Sequence, residues 1–305
     1  MQRRIRTIAA LAAAGLVGAL IGWAPAGAEG VTSFEARAQA DGFRFTFGAP
    51  GFVAVDTFID GGGPVAQSVL DGLGNSQSFA SLPYPSDNAI SGPGLVAGLT
   101  GLPSPPPYPF YVNSSYPTQE KAEFSGPGDH LLATSGDSVT EGTATSGGGG
   151  GGSSIGATQS HTLSQRDGDT VSAEAAVTAD MVNIGGTLKI LSGAVTAKMS
   201  RTAGGDPVSA SSFHLDGVSI GGQPVGFNEK GFVFAGNGAP IPADNPLMQA
   251  LRQGGIDVRY LAGSTDGDTI VSPGLVITQK AQFPGSPVLV FTYVLGRARA
   301  HVSVS

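Results

Sequence analysis

Residues Phe34 to Asp41 read FEARAQAD, a stretch in which apolar and polar side chains alternate one by one. Successive side chains of an extended strand point to opposite faces, so Ala36, Ala38 and Ala40 share one face and the polar residues share the other. The chain ends with RARAHVSVS, residues 297–305, which repeats the pattern with an alanine and valine face. Alanine is uncommon in strands because it packs little surface. We therefore predict that both segments lie in one sheet, against a second layer that approaches closely.

The same alternation recurs along the whole chain and indicates about a dozen strands. Gly and Pro supply 48 and 21 of the 305 residues, and only 13% of residues are charged, a composition typical of many turns and few long helices. Hydrophobic residues make up 40%, which is enough for a core. The predicted fold is dominated by β-structure: a large antiparallel twisted sheet, arranged as a sandwich or a half-open barrel, with two short amphipathic helices.

The two helices are predicted from apolar spacing and from end signals. GPVAQSVLDGLG, residues 63–74, has Pro in a first-turn position and Gly as a stop, with Val and Leu at helical spacing. ADNPLMQALRQGG, residues 243–255, has Asp244 or Asn245 as the cap, Pro246 in the first turn and two glycines after it. Both segments are short, so we expect them to cover an end or a face of the sheet.

The N-terminus has the pattern of a secretory signal. MQRRIR is followed by an apolar run from Thr7 to Trp23 and by Ala26-Gly27-Ala28, which fits signal peptidase. We expect residues 1–28 to be removed. Of the 16 basic side chains three lie in this segment, so 13 remain against 23 acidic ones, a formal charge of −10 that disfavours nucleic acid and anionic lipid as partners. The sequence has no cysteine, which excludes disulfides and thiolate metal sites.

A glycine-rich stretch, TSGGGGGGSS at residues 145–154, divides the remaining chain. Its composition is that of a flexible linker. It could separate a β-rich part at residues 29–144 from a β-rich part at residues 155–305. It could equally be a hairpin tip inside one sheet, and we favour this second interpretation, which makes the two parts one continuous domain.

The string GDSVTEG around Ser138 resembles the nucleophile block of GDSL hydrolases. Such an enzyme also needs an apolar strand that delivers the serine, Gly and Asn donors for the oxyanion, and a late Asp-x-x-His. The sequence supplies none of these in the required context. The residue three positions before His301 is Ala298, and the residue three positions before His214 is Ser211, so neither histidine has the required Asp. We expect a serine on a polar strand, and we assign no catalytic residue.

The string DGDT occurs twice, at Asp167–Thr170 and at Asp266–Thr269. A calcium loop would need further carboxylates at alternate positions, which do not follow. Asp-Gly between strands instead predicts a hairpin with a type I′ turn, because Gly accepts positive φ. The segment around Asp206 is predicted to be a third hairpin tip. We assign no metal ligand and no cofactor-binding residue.

The remaining polar and aromatic candidates show no spacing typical of a site. The four histidines lack metal-ligand spacing, and the pairing of three glutamates for glycoside chemistry depends on a separation that sequence does not give. We expect the first aromatic cluster to lie in the core and the second to form a surface strip. These groups are His130, His161, His214 and His301; Glu120, Glu123 and Glu141; Phe43, Phe45, Phe47, Phe52 and Phe58; and Tyr108, Phe110, Tyr111 and Tyr116.

Several longer strings resemble a family of secreted actinobacterial proteins without an assigned activity. The resemblance is carried by GGPVAQSVLDGLGNSQSFASLPYPSD at residues 62–87, YPFYVNSSYP at 108–117, VSIGGQPVGFNEKGFVFAG at 218–236 and GIDVRYLA at 255–262. It implies an extracellular or cell-wall location in an actinobacterium, and it transfers no functional residue.

Two classes of function remain ahead of a serine esterase. The first is an exported, non-enzymatic structural or surface-interaction protein of the cell envelope. The second is a carrier of a lipid or another hydrophobic ligand in a groove lined by the sheet. An interior filled by Ala, Val and Ser would favour the first class, and a pocket lined by Phe, Leu and Val would favour the second.

Overall fold

A computed structural model describes residues 31, 33–51, 57–82, 111–148, 153–282 and 284–305. Within these ranges the chain forms two ten-stranded antiparallel sheets and one short helix. The sheets pack face to face, so the predicted all-β fold is confirmed in its sandwich form. The expectations for residues 1–28, Phe52, Tyr108, Phe110 and most of the glycine run lie outside the described residues.

The first sheet combines strands from both ends of the chain. Its strands are β1 (Phe34–Gly48), β2 (Thr57–Gly62), β3 (Val65–Asp71), β4 (Ser76–Ser81), β5 (Tyr111–Ser115), β16 (Ile256–Leu261), β17 (Ser264–Asp266), β18 (Thr269–Val271), β19 (Gly274–Ala281) and β20 (Leu289–Val304). The order across the sheet is β16-β19-β20-β1-β3-β4-β5, with β2 paired to β1 and the β17–β18 hairpin paired to β20.

The second sheet is built from the middle of the chain. Its strands are β6 (Lys121–Gly126), β7 (Asp129–Ser135), β8 (Val139–Ser146), β9 (Thr158–Asp167), β10 (Thr170–Ile184), β11 (Leu188–Thr202), β12 (Val208–Asp216), β13 (Ser219–Ile220), β14 (Gln223–Asn228) and β15 (Gly231–Phe234). The order is β15-β14-β13-β11-β10-β9-β8-β7-β6, with β12 paired to β11. Since β8 and β9 are neighbours, the glycine-rich stretch connects two adjacent strands of one sheet.

The first and last long strands pair with each other, as their alternation predicted. Ala38 lies opposite Ala300 and Ala40 lies opposite Ala298 in the antiparallel register of β1 and β20. These alanines are fully or almost fully buried and face the alanine and valine face of β10. The central layer of the sandwich is therefore made largely of methyl groups from small residues.

Beside this layer, the interior contains hydroxyl groups instead of apolar side chains. Ser68 on β3 hydrogen-bonds to Ser164 on β9 at 2.9 Å, and Ser114 on β5 hydrogen-bonds to Ser135 on β7 at 2.7 Å. We call this buried set the hydroxyl seam; its members are Ser68, Ser76, Ser78, Ser114, Ser135, Thr140, Ser160, Thr162 and Ser164. Paired in this way, the hydroxyls avoid the cost of unsatisfied burial.

Both sheets bend at the same level, and the bend reverses which residues face inward. In the first sheet the pairing of β1 with β20 skips Gly42 and Gly296, so the inward set changes from even-numbered to odd-numbered residues. In the second sheet the pairing of β10 with β11 skips Met181 and Leu191, and the inward set of β10 changes from odd-numbered to even-numbered residues. The two skipped residues of each pair lie opposite each other, so the register is the same on both sides. Gly296 and Met181 have positive φ, +66° and +55°, and this backbone conformation redirects the side chains that follow.

The bend separates two differently filled halves. The small-residue half contains the alanine and valine layer and the hydroxyl seam. The large-residue half contains a cluster of branched aliphatic and aromatic side chains: Val182, Ile184, Leu188, Ile190, Val218, Ile220, Val225, Phe232, Ile241, Leu251, Ile256, Leu275, Ile277 and Leu295.

The second predicted helix is present in the large-residue half. Helix α1 runs from Pro246 to Gln253, and Asn245 caps it by accepting a hydrogen bond from the backbone N–H of Leu247 at 2.9 Å. Leu251 is 2% exposed and packs into the apolar cluster. Gly254 caps the C-terminus of the helix and is followed by Gly255, which adopts φ of +67°.

The first predicted helix is wrong, because residues 65–71 form strand β3. Ala66, Ser68 and Leu70 point inward opposite Ala40, Ala38 and Ala36 of β1. Val65 and Val69 share one face of this strand and Leu70 lies on the other, so the apolar residues that suggested helical spacing are split between the two faces. A period of two was hidden because its inward face carries a serine between an alanine and a leucine.

The segment after β3 is a turn and not the end of a helix. The Asp71 carboxylate accepts hydrogen bonds from the backbone N–H groups of Leu73 and Asn75 at 2.9 and 3.0 Å. Leu73 is 97% exposed in this turn. Carboxylate acceptance of this kind stabilises a tight reversal, which is why β3 and β4 form a hairpin.

Candidate functional site

The outer face of the first sheet carries two rows of side chains that run across five strands, β20, β1, β3, β4 and β5. Because residues paired across antiparallel strands share a face, each row can be followed from the pairing register. The first row is Arg299, Gln39, Gln67, Phe79 and Asn113, and the second is His301, Arg37, Val69, Gln77 and Ser115. We call the surface formed by these two rows the outer groove.

The outer groove is concave along most of its length. A depression of about 380 Å³ lies over β18, β20, β1 and β3, and a second of about 260 Å³ lies over β3, β4 and β5. Gln67 and Val69 line both depressions, so the two lie side by side at β3. Four neighbour spacings of roughly 4.8 Å make the five-strand width about 19 Å.

Positive charge in the outer groove is only partly neutralised. The Arg37 guanidinium forms an ion pair with Glu35. Arg299 is exposed and has no ion pair or hydrogen-bonding side-chain partner among the described residues. His301 also lines the depression and uses Nδ1 in a 2.9 Å hydrogen bond with the Thr269 hydroxyl.

A buried carboxyl lies at the end of the outer groove nearest the bend. Burial is the main cause that raises the pKa of Asp41, and the Gln39 side-chain hydrogen bond, at 3.1 Å, acts in the opposite direction. Burial also lowers the pKa of Arg297, whose guanidinium donates to the Ser272 carbonyl oxygen at 3.1 Å. The hydrogen bond to Asp41 fixes the Gln39 side chain, whereas Arg299, which lies opposite Gln39 on β20, has no side-chain partner among the described residues.

An aromatic pair lies at the opposite end of the outer groove. The rings of Phe79 and Tyr111 stack with centroids 5.9 Å apart, and Tyr111 is 47% exposed. Phe79 is half-buried and lies directly between Gln67 and Asn113 in the first row. The groove therefore offers guanidinium and amide groups followed by a ring face.

Ser138 lies in the turn between β7 and β8 and is half-buried. Its carbonyl oxygen accepts a hydrogen bond from the backbone N–H of Arg166 at 2.8 Å, and Gly136 N–H donates to Val139 at 2.8 Å across the turn. The GDS string is thus part of a β-hairpin, and no histidine of the described residues hydrogen-bonds to Ser138.

Each histidine has a different local partner. His130 contacts Glu123 at 3.1 Å, His161 contacts Glu141 at 2.8 Å and His214 contacts Asp216 at 2.9 Å. These pairs join neighbouring positions on the outer face of the second sheet. They make the histidines parts of surface pairs, with His301 of the outer groove as the exception.

The glutamates considered for glycoside chemistry also have separate partners. A hydrogen bond from Lys121 is the main cause that lowers the pKa of Glu123, with His130 the second. Glu141 lies on β8, with β7 between it and Glu123, and Glu120 is exposed before β6. In the described residues no group of three or more His, Asp or Glu side chains could hold a metal ion.

Both DGDT strings form hairpin turns, which confirms the prediction of turns at these positions. Asp167 pairs with Thr170, and Asp266 pairs with Thr269. The two turn residues are therefore Gly-Asp, and only Gly168 and Gly267 have positive φ, at 56° and 52°. The predicted type I′ geometry is wrong, because that turn requires positive φ at both central residues, whereas a type II′ turn needs it only at the first. The segment around Asp206 connects β11 to β12 as predicted.

The first aromatic cluster is less buried than predicted. Phe43, Phe45 and Phe47 are half-exposed, and the Phe47 ring stacks on Phe291 with centroids 4.6 Å apart. These residues lie on β1 past the bend, where the first sheet extends toward β2. Only Phe43 packs against the buried cluster of the large-residue half. The side chain of Phe58 lies outside the described residues.

An apolar gap lies at the bend between the two halves. Its volume is about 20 Å³, close to the size of one water molecule, and its walls include Val177, Ile190, Val195, Phe213 and Leu295.

No helix of the described residues is long and apolar enough to cross a membrane.

Comparisons with known proteins give no family. Neither a family model nor a curated protein matches the chain. Among solved structures, a TodX deltaS2S3 mutant monoaromatic hydrocarbon channel is 9% identical over 90% of this chain and 91% of its own, with a TM-score of 0.18. Pseudomonas aeruginosa OpdO is 10% identical over 90% and 98%, with a TM-score of 0.16, and Acinetobacter baumannii OccAB4 is 6% identical over 90% and 98%, with a TM-score of 0.15. Such scores support no conclusion about fold or function.

Proposed function

We propose that this protein is an exported, non-enzymatic structural or surface-interaction protein of an actinobacterial cell envelope. The observation that carries the proposal is the filled interior of the small-residue half, in which alanine methyl groups and paired hydroxyls occupy the space between the sheets. A scaffold of this kind offers its outer faces, and not its interior, for interaction. The N-terminal secretory pattern supports the export.

The carrier alternative requires an apolar cavity large enough for a ligand. Pockets for small molecules usually have volumes of about 300 to 1,000 Å³ and are mostly apolar. The apolar gap at the bend is far smaller, at about 20 Å³, and the two depressions of the outer groove are lined mostly by polar side chains such as Arg, Gln, Asn and Ser. Within the described residues the geometry favours an interaction surface over a carrier.

Secretion and envelope association are the direct test. The full chain, tagged at its C-terminus, is expressed in an actinobacterial host, and cytoplasm, membrane, cell wall and medium are assayed for the tag. We expect a form shortened by about 28 residues in the cell-wall fraction or the medium, since cleavage follows a small-x-small site. The matched control lacks residues 2–28 and should stay in the cytoplasm. An uncleaved chain in the cytoplasm would contradict the proposal.

The esterase alternative is tested separately with Ser138→Ala. Purified protein lacking residues 1–28 is incubated with short-chain p-nitrophenyl esters beside the variant. We expect equal rates, because Ser138 lies in a hairpin turn with no histidine hydrogen-bonded to it in the described residues. Turnover that disappears in the variant would establish the esterase.

A further inference from the structure

We propose that the outer groove binds an extended glycan that carries carboxylate or phosphate groups, with the sugar chain running across the strands. This inference rests on the proposed surface-interaction function and names the ligand class of that surface.

The direction of the ligand follows from the side-by-side position of the two depressions. They share Gln67 and Val69 and together extend from β20 to β5. A path of this direction meets a new strand about every 4.8 Å, a spacing close to the length of one sugar unit. The groove could therefore present one side chain of each row to each of four or five successive sugars.

The polar groups of the outer groove suit hydroxyls and an anion. Gln39, Gln67, Gln77 and Asn113 have amides that both donate and accept hydrogen bonds, which matches the donor and acceptor character of sugar hydroxyls. Arg299 supplies an unpaired guanidinium, whose fork of N–H donors fits a carboxylate or a phosphate.

The charge of Arg299 is notable against the rest of the protein. The complete chain has a formal charge of −7, yet the first depression contains two arginines and one glutamate. Because Arg37 forms an ion pair with Glu35, Arg299 is the arginine of this depression whose charge is not compensated. A local cation on an acidic protein selects an anionic group at one place and repels a densely charged polyanion elsewhere.

The aromatic end of the outer groove supplies an apolar contact. Sugar rings carry C–H groups on their faces, and these groups pack against aromatic rings. Phe79 is held in place by stacking on Tyr111, so its ring loses little freedom when a sugar covers it. The ligand is thus bound by charge at the β20 side and by a ring face at the β4 and β5 side.

The test measures binding of defined oligosaccharides to protein lacking residues 1–28 by calorimetry at low salt. The probes are maltohexaose that carries a single carboxylate group, maltohexaose that carries a single phosphate group, and neutral maltohexaose. We expect the anionic probes to bind at least 10-fold more tightly than maltohexaose. Comparison of the two anionic probes distinguishes a carboxylate from a phosphate as the preferred source of the charge.

Two variants with matched controls locate the site. Arg299→Gln should weaken the preferred anionic probe at least 10-fold, whereas Arg259→Gln, which removes an exposed arginine from β16, should change it less than 2-fold. Phe79→Ala should weaken binding at least 5-fold, whereas Phe234→Ala on β15 should not. Melting temperatures of all four variants establish that they are folded.

Three results would overturn the proposal. One is the absence of measurable binding by either anionic probe, and another is an equal loss of affinity in Arg299→Gln and Arg259→Gln. A third is equal binding of a single-stranded oligonucleotide, which would mean unspecific attraction of charge. Secretion is assayed independently, so a protein that binds the glycan and stays in the cytoplasm would refute the proposed function alone, and a cell-wall protein that binds no glycan would refute this inference alone.

Discussion

On one side of the bend the two sheets are joined by Ala, Ser and Thr side chains, whereas on the other side they are joined by Ile, Leu and Phe side chains and one helix. In the small-residue half the backbones come close enough for Ser78 and Ser160 to donate hydrogen bonds to carbonyl oxygens of the opposite sheet, at 2.7 and 2.8 Å. A Cβ added at Gly142 would lie 3.0 Å from the carbonyl oxygen of Gln67 on that sheet.

One pair of sheets is thus held together in two ways. The large-residue half relies on apolar area, at roughly 25 cal/mol per Å² removed from water. The small-residue half buries less apolar area per residue and depends on close fit and on hydroxyl pairs worth about 1 kcal/mol each. The large-residue half should tolerate small shifts of one sheet against the other, and the small-residue half should not.

Removing a buried leucine from each half tests this difference directly. Leu70 on β3 and Leu251 on α1 are 1% and 2% exposed. We expect Leu70→Ala to lower the free energy of unfolding by about 3 to 5 kcal/mol and Leu251→Ala by about 2 to 3 kcal/mol, because the cost of a cavity depends on how far its walls relax. β3 is fixed by hydrogen bonds to β1 and β4, whereas α1 packs on one side only.

Urea unfolding of both variants measures the two losses. At this chain length each kcal/mol corresponds to roughly 2 to 4 °C in melting temperature. Equal losses, or a larger loss in Leu251→Ala, would mean that the two halves do not differ in their ability to relax.

The bend should be sensitive to a single methyl group at Gly296. This residue has φ of +66°, and an added Cβ would lie 2.4 Å from the Val195 Cγ2 atom of the other sheet. We expect Gly296→Ala to lower the free energy of unfolding by about 2 to 4 kcal/mol from backbone strain and overpacking together. Gly204→Ala is the control, because it has φ of +69° and open space around it. Its loss, measured by thermal melting, should be near 1 kcal/mol. Similar losses at both glycines would show that the sheets are not in close contact at the bend.

A double-mutant cycle tests the hydroxyl seam. Ser164→Ala leaves the Ser68 hydroxyl buried without its partner, which should cost about 1 to 3 kcal/mol. Replacing both serines by alanine should cost less than the sum of the two single changes by at least about 0.5 kcal/mol. Urea unfolding of the four proteins provides the cycle. Simple additivity would mean that the hydroxyl pair does not join the sheets.

The smallest expected effect concerns Asp41 at the bend. Its pKa in the folded protein is raised above the ordinary value of 3.8, mainly by burial, so ionisation of this carboxyl costs stability as the pH rises through the raised pKa. At a pH below the ordinary pKa, Asp41 is protonated in both the folded and the unfolded protein, and this cost is absent. The stability of Asp41→Asn relative to the original protein should therefore increase from pH 3 to pH 7. Melting curves across this range measure the trend, and Asp206→Asn in an exposed hairpin loop is the control. A trend of opposite sign would contradict the assigned burial.

The sequence was sufficient for the parts of the fold in which period and composition agree. The pairing of β1 with β20 followed from two alanine faces, and α1 followed from Asn245, Pro246 and an apolar stripe. β3 was missed because Val65, Val69 and Leu70 also satisfy helical spacing. The bend was missed as well, since a reversal of the inward set at Met181 or Gly296 leaves each local pattern intact on either side.

The outer groove was only partly predictable. Alternation placed Arg37 and Gln39 on one outer face, but the assignment of β3 as a helix removed Gln67 from that face. The alignment of these residues with Phe79 depends on strand order and register, which are set by contacts between segments far apart in the chain. The hydroxyl seam was not located, because Ser and Thr are mostly exposed in proteins and alternation does not show which hydroxyls meet a partner on the opposite sheet.

The alanine and hydroxyl interior has a further consequence for how stability varies with temperature. Exposure of apolar surface raises the heat capacity on unfolding, and exposure of polar surface lowers it. Unfolding of the small-residue half exposes methyl groups together with serine and threonine hydroxyls, so its heat-capacity increment per residue should fall below the usual value of about 12 to 15 cal/mol/K. A smaller increment makes the curve of free energy against temperature broader and flatter. The protein should therefore keep a nearly constant stability over a wider range of temperatures than a sandwich of equal size filled with leucine and phenylalanine.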